Sequence, residues 1–167
     1  DIEEAIEDVD LIVVIVPTVG HRFIGEALAP YLKDGQTVFL NPGHTGGSLE
    51  FAKTLRDLRV KKKIKIGDSA TLSHASRCTG PAQVRVSRLI KALPFSALPA
   101  KDTPKVIEIV KEVFPAVVPA VNVLETGLSN VNAVEHPSGM LMNAGWIEHT
   151  RGKFCFYSEG ITPSIAR

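Results

Sequence analysis

Residues 10–17 hold an unbroken apolar run, Ile12-Val13-Val14-Ile15-Val16, with no polar residue alternating through it. A strand with one wet face alternates, whereas a run without alternation suits a strand covered on both faces, as in a parallel sheet flanked by helices. Burial on both faces demands helices on either side of the strand in the chain. Pro17-Thr18-Val19-Gly20 ends the strand, and residues 21–32 place Phe23, Ile24, Ala27, Leu28 and Leu32 at helical spacing. Lys33-Asp34-Gly35-Gln36 is a turn before a second buried strand at 37–40. The glycine-rich loop Asn41-Pro42-Gly43-His44-Thr45-Gly46-Gly47 leads into a helix over 48–58, with Leu49, Phe51, Ala52, Leu55 and Leu58 as its buried face. A third strand is expected at 63–67.

Strand, helix, strand, helix, strand with short links predicts an α/β fold, a doubly wound parallel sheet of Rossmann type. The glycine fingerprint G-x-G-x-x-G is absent, so only part of such a sheet is expected here. The chain opens at Asp1 rather than Met and stops at Ser164-Ile165-Ala166-Arg167, and it reads as an interior piece of a longer protein. Further strands are expected at 83–87 and 91–98, with Arg85, Ser87 and Arg88 leaving one face wet. Asp102-Thr103-Pro104 starts a helix that runs to about Phe114. Beyond Pro115 the pattern turns helical, over 122–135 and 137–147, with no strand before 154–157. The expected domains are therefore 1–118, the C-terminal part of a dinucleotide-binding domain, and 119–167, the start of an all-helical substrate and catalytic domain, with a cleft between them.

Apolar content of 44% and a net charge of +1 point away from nucleic acid and acidic lipid as partners. The run at 11–16 is too short to cross a bilayer, so no membrane span is expected. Lys61-Lys62-Lys63 reads as a solvated turn. Cys78 and Cys155 match no metal spacing, which makes free thiols and a cytoplasmic location the default. The five histidines hold no pair at helical ligand spacing, and no metal site is expected.

Candidate chemistry falls in two regions. In doubly wound sheets, ligands sit outside the carboxyl ends of the strands. Val16, Pro17 and Thr18 follow the first strand here, and Asn41, Pro42 and Gly43 the second; both are expected to bind cofactor. Thr71 and Arg77, after the third strand, are candidates for binding substrate, Arg77 by a two-point bond to a carboxylate. The second region, Asn122 to Pro137, reads as one helix ending at the proline. Asn132 and His136 are four residues apart and share a face. The amide can bind substrate, and the imidazole can move a proton near neutral pH or merely cap the helix. His44, His74 and Glu125 are weaker candidates.

The sequence resembles the octopine/nopaline (opine) dehydrogenase family. The resemblance rests on Asn41-Pro42-Gly43-His44-Thr45-Gly46-Gly47, Leu49-Glu50-Phe51, Thr71-Leu72 with Arg77, Gly80-Pro81 and Phe114-Pro115. Its most specific elements are Asn122-Val-Leu-Glu-Thr126 with Asn130-x-Asn132-Ala-Val-x-His136-Pro137, and Phe156-Tyr-x-Glu-Gly-x-Thr-Pro163-Ser. It implies NAD- or NADP-dependent reductive condensation of an amino acid with a 2-oxo acid, with His136 as the catalytic histidine. It also implies that the glycine phosphate loop and an acidic partner for the histidine lie outside this chain, so the segment alone is expected to be inactive. Small molecules are the expected partners, and a homodimer is compatible. Two alternatives stand beside this reading. One is a non-catalytic nucleotide sensor of the same fold. The other is a related 2-hydroxy acid or polyol phosphate dehydrogenase, whose catalytic helix usually carries a lysine; none occurs between Val121 and Ile147.

Overall fold

The computed structural model describes residues 1–166. Its helices are α1 (Ile2–Ile6), α2 (His21–Leu28), α3 (Gly47–Asp57), α4 (Thr103–Lys111), α5 (Val123–Leu128), α6 (Asn132–Met142) and α7 (Ala144–Thr150). Its strands are β1 (Leu11–Val14), β2 (Thr37–Leu40), β3 (Lys65–Ser69), β4 (His74–Gly80), β5 (Gln83–Leu89), β6 (Leu93–Leu98) and β7 (Val117–Pro119). Two compact units result, Asp1–Ser129 and Asn130–Arg167.

The first unit is built on a sheet of order β1-β2-β3-β6-β7. Strands β1, β2 and β3 run parallel, with Leu11 opposite Thr37 and Thr37 opposite Lys65. The first part of the apolar run is thus a strand of the expected doubly wound sheet, whereas Ile15 and Val16 lie beyond the strand and Ile15 is exposed. All four residues of β2 are buried, and successive side chains leave on opposite faces. Val38 and Leu40 join Ile12, Val14, Phe51, Leu55 and Ile66 in one core cluster. Phe39 joins Phe95, Val106, Ile107 and Val110 in the other. Phe39 meets Phe95 and Phe114 edge to face, with ring centroids 5.5 and 5.2 Å apart. Gly67 makes that possible: a Cβ there would lie 2.3 Å from Phe95 Cζ.

Several expectations need correction. Strand β6 pairs antiparallel to β3, so the sheet is parallel only through its first three strands, and β7 then runs parallel to β6. Residues 74–80, to which no element is assigned from sequence, form β4 and pair with β5 in a separate hairpin. Both strands of that hairpin are almost wholly exposed, so no core periodicity marked the first of them. Leu49 and Leu58, assigned to the buried face of the 48–58 helix, are exposed, as is Phe23, placed at helical spacing in 21–32. The single helix expected from Asn122 and ending at Pro137 is two: α5 stops at Leu128, and α6 starts at Asn132 and runs through Pro137. Residues 156–160 are a π-helical turn rather than a strand.

Candidate functional site

Because β1, β2 and β3 are parallel neighbours, the loops after them leave the same edge of the sheet. Those loops are tied together. Thr18 Oγ1 lies 3.3 Å from His44 Nδ1, joining the first to the second. Asn41 joins the second to the third: its Nδ2 donates to Ser73 Oγ at 3.0 Å and its Oδ1 accepts from Ser73 N at 3.1 Å. Asn41 is fully buried, its amide is committed to this link and its backbone N–H donates to the Val14 carbonyl at 2.9 Å. Pro42 and Gly43 are buried beside it, whereas Val16 and Thr18 are half-buried and Pro17 is exposed.

Beneath the second loop lies Asp68, at the end of β3 and only 1% exposed. A Cβ on Gly43 would sit 2.4 Å from Asp68 Cβ, so glycine alone fits over that carboxylate. Thr126 of α5 donates to Asp68 Oδ1 at 2.6 Å. Burial pushes the Asp68 carboxyl up to about 6, against the pull of Ser48 and Thr126, whose hydroxyls and the Ser48 N–H face it. His21 is fully buried against Gly47. Burial first, and then the charge of His44, hold its pKa below the usual histidine value, although the Pro42 carbonyl raises it. Burial likewise lowers His44. Sequence reasoning missed Asp68, Ser73 and Thr126. The one available signal was an acid closing an apolar strand, Ile64-Lys-Ile-Gly-Asp68.

Thr71 is half-buried in the third loop, where its carbonyl accepts from Ser69 Oγ at 2.9 Å. Arg77 stands on the exposed hairpin opposite Arg85 and donates to the neighbouring Ser76 carbonyl at 2.9 Å. His74, also exposed, has Nδ1 2.7 Å from Ser73 Oγ. Glu125 is spent on structure. Its carboxylate accepts from Val121 N while Asn122 Oδ1 caps α5 at Leu124 N and Glu125 N. Among the described residues no group of three or more His, Cys, Asp or Glu is placed to hold a metal ion, and Cys78 and Cys155 are free and exposed.

In the second unit Asn132 is the first residue of α6, its N–H held by Asn130 Oδ1 at 3.2 Å. His136 lies one turn on, half-buried, immediately before Pro137. Proline inside a helix removes one backbone bond and typically costs about 3 kcal/mol, so side-chain contacts must hold this helix. They come from the turn at 156–160. Gly139 packs so closely that a Cβ would be 2.6 Å from Phe156 Cζ. Asn143 Nδ2 donates to the carbonyls of Gly139, at 2.7 Å, and Gly160, at 2.8 Å. The result places His136 Nε2 2.8 Å from Tyr157 Oη, with the Phe156 ring centroid 6.1 Å from the imidazole. Sequence segments some twenty residues apart therefore meet around one imidazole, fixed in orientation and still partly open to solvent.

A parallel β1-β2-β3 edge with three tied loops is the architecture of a Rossmann-type, doubly wound sheet. Solved structures share it. Octopine dehydrogenase with NADH and L-arginine superposes with a TM-score of 0.71 at 23% identity, covering 99% of this chain and 42% of the other. Yersinopine dehydrogenase with NADP+ bound gives a TM-score of 0.75 at 13% identity, over 98% and 42%. Residues 119–167 match the family model described as the NAD/NADP octopine/nopaline dehydrogenase, alpha-helical domain. The opine dehydrogenase of Arthrobacter sp. (strain 1C) is 41% identical over 99% of this chain and 45% of its own length. The glycerol-3-phosphate dehydrogenase [NAD(P)+] of Agathobacter rectalis is 30% identical over 90% of this chain and 44% of its own length. The similarity to the octopine/nopaline dehydrogenase family thus covers residues 119–167 in the family model and the whole chain in one relative, and the chain spans less than half the length of these relatives.

Proposed function

We propose that this chain is part of an NAD(P)-dependent opine dehydrogenase, which condenses an amino acid with a 2-oxo acid and reduces the resulting imine to a secondary amine. The observation that carries the reading is the half-buried His136 imidazole, oriented by Tyr157 at 2.8 Å, with Asn132 one turn away on the same helix. The proposed domains are a dinucleotide-binding part over 1–118 and a helical catalytic part over 119–167.

The loop residues fit a dinucleotide. Neither Val16-Pro17-Thr18-Val19-Gly20 nor Asn41-Pro42-Gly43-His44-Thr45-Gly46-Gly47 contains an acid that would repel a polyanion. Val16, Pro17 and Thr18 would line the crevice by side chain and backbone, and the buried Asn41, Pro42 and Gly43 would set the path of the second loop along it. Bound NAD(P)H would supply the hydride for the imine carbon. His136 would take a proton as the amine attacks the carbonyl and return one to the nitrogen as it is reduced. Asn132, Thr71 and Arg77 are proposed to bind substrate, Arg77 through a carboxylate. The octopine dehydrogenase structures hold L-arginine or pyruvate; the substrates proposed here are of those two classes. No helix among the described residues is long and apolar enough to cross a membrane. A cytoplasmic location is part of the proposal.

The polyol phosphate reading has one relative in its favour. The absence of lysine between Val121 and Ile147 favours the opine reading. The test is steady-state oxidation of NAD(P)H by the full-length protein with an amino acid and pyruvate. His136→Ala should lower turnover by roughly a hundredfold, the usual contribution of a general acid or base, while leaving NAD(P)H binding unchanged. Near-normal turnover with the same pH profile would refute it.

A further inference from the structure

We infer that Asp68 is a positioning residue for the proposed reaction: its buried carboxylate joins the 41–47 loop to α5, so that the loop and the helix preceding α6 hold one arrangement. The inference rests on the reading of that loop as part of the cofactor site.

Three elements converge on Asp68. From above, Gly43 lies directly on it, leaving no room for a Cβ, and Gly43 N donates to the Ser69 carbonyl at 3.1 Å. From one side Thr126 of α5 donates to Oδ1 at 2.6 Å. At the start of α3 stands Ser48, whose hydroxyl is buried and has no closed hydrogen bond, as is true of Asp68 Oδ2. The α3 N-terminus itself favours an anion here. The joint continues above the carboxylate. Thr45 Oγ1 donates to the Gly127 carbonyl at 3.1 Å. A Cβ on Gly127 would lie 3.2 Å from the His44 carbonyl oxygen and 3.5 Å from Gly46 N. Helix α5 thus seats on the loop backbone through a glycine, and Asp68 lies beneath both.

A carboxylate is a costly way to fill this space. Burying an ionisable group without a counter-charge is unfavourable, and an asparagine would occupy nearly the same volume at less desolvation. Among the described residues no charged side chain offsets it: the groups acting on it are the Ser48 and Thr126 hydroxyls and the Ser48 N–H. What the ionised group adds is strength. A hydrogen bond from a neutral hydroxyl to a carboxylate is about twice as strong as one between neutral groups. The Thr126 link is of that kind and spans 58 positions in sequence.

The experiment uses the full-length protein and the variants Thr126→Val, Thr126→Ser and Asp68→Asn. Amide hydrogen exchange is followed in peptides covering 41–47 and 122–128, and KM for NAD(P)H and kcat are measured in parallel. Thr126→Val, which keeps the shape and loses the hydroxyl, should speed exchange in both segments. It should raise the KM for NAD(P)H about tenfold and change kcat less than about threefold, as for loss of one hydrogen bond to a charged group. Asp68→Asn should act in the same direction, and Thr126→Ser should stay within about twofold of the parent, since the bond is kept. Faster exchange in 122–128 alone, or equal damage from Ser and Val, would overturn the inference. Coupled exchange with an unchanged KM would overturn Asp68's role in the reaction and the cofactor reading of the loop together. A parent protein without NAD(P)H-dependent condensation would instead sink the proposed function, and the exchange data would still decide the joint.

Discussion

Two buried ionisable side chains, Asp68 and His21, set opposite pH dependences. Burial raises the Asp68 carboxyl from an ordinary 3.8 to about 6, so the native state binds this proton more tightly than the unfolded chain. Its contribution to stability is fully present below about pH 4 and is lost as pH rises through 6. His21 works the other way. Burial depresses its pKa below 6.5, so its contribution is present above that value and is lost as pH falls through the depressed folded pKa. The parent's profile is the balance of the two. Asp68→Asn removes one side, and its Tm relative to the parent should rise between about pH 4 and 6 and level off above that. A constant difference across that range, in thermal melts at half-unit pH steps, would show that Asp68 does not titrate in this window. Asp68 was not legible in the sequence because an acid after Ile64-Lys-Ile-Gly reads equally well as the start of a solvated turn. Only the packing of Gly43 above it reveals the burial.

Helix α6 shows how an element can carry a residue that its own propensity opposes. Pro137 interrupts the backbone ladder, and from sequence it reads as the end of a helix. The helix instead continues to Met142 because Gly139 and Asn143 pin it to the turn at 156–160. Gly139→Ala should therefore be disruptive although alanine is the better helix former. Its Cβ would fall 2.6 Å from Phe156 Cζ and 2.7 Å from Ile161 Cδ1. Overpacking of this kind costs about 1–3 kcal/mol. Displacing Phe156 also displaces Tyr157, the partner of His136, so turnover in the full-length enzyme should fall with it. A Gly139→Ala protein with unchanged Tm and kcat would show that the turn adapts freely.

Across the molecule, stability should be uneven. Strands β2 and β3 and the centre of β6 are buried, whereas the β4–β5 hairpin exposes nearly every residue, including Arg77, Arg85 and Arg88. A two-stranded hairpin without a covered face is marginal in water, and locally unstable segments are cut first. Limited digestion with trypsin should cleave at those arginines before Arg56 or Lys65. First cuts in the central sheet would contradict this ordering.

The amino-acid sequence alone determined the parallel β1-β2-β3 segment, the helices between those strands, the loops at their carboxyl ends, and the shared face of Asn132 and His136. Each is a local pattern, an apolar run or a helical spacing, written in neighbouring residues. Only the tertiary structure decided the rest. The antiparallel turn of β6, the exposed hairpin, the helix that survives Pro137, the Tyr157 beside His136 and the carboxylate beneath Gly43 all depend on partners distant in sequence. Their physical basis is burial and close approach between segments, for which a one-dimensional pattern has no signal.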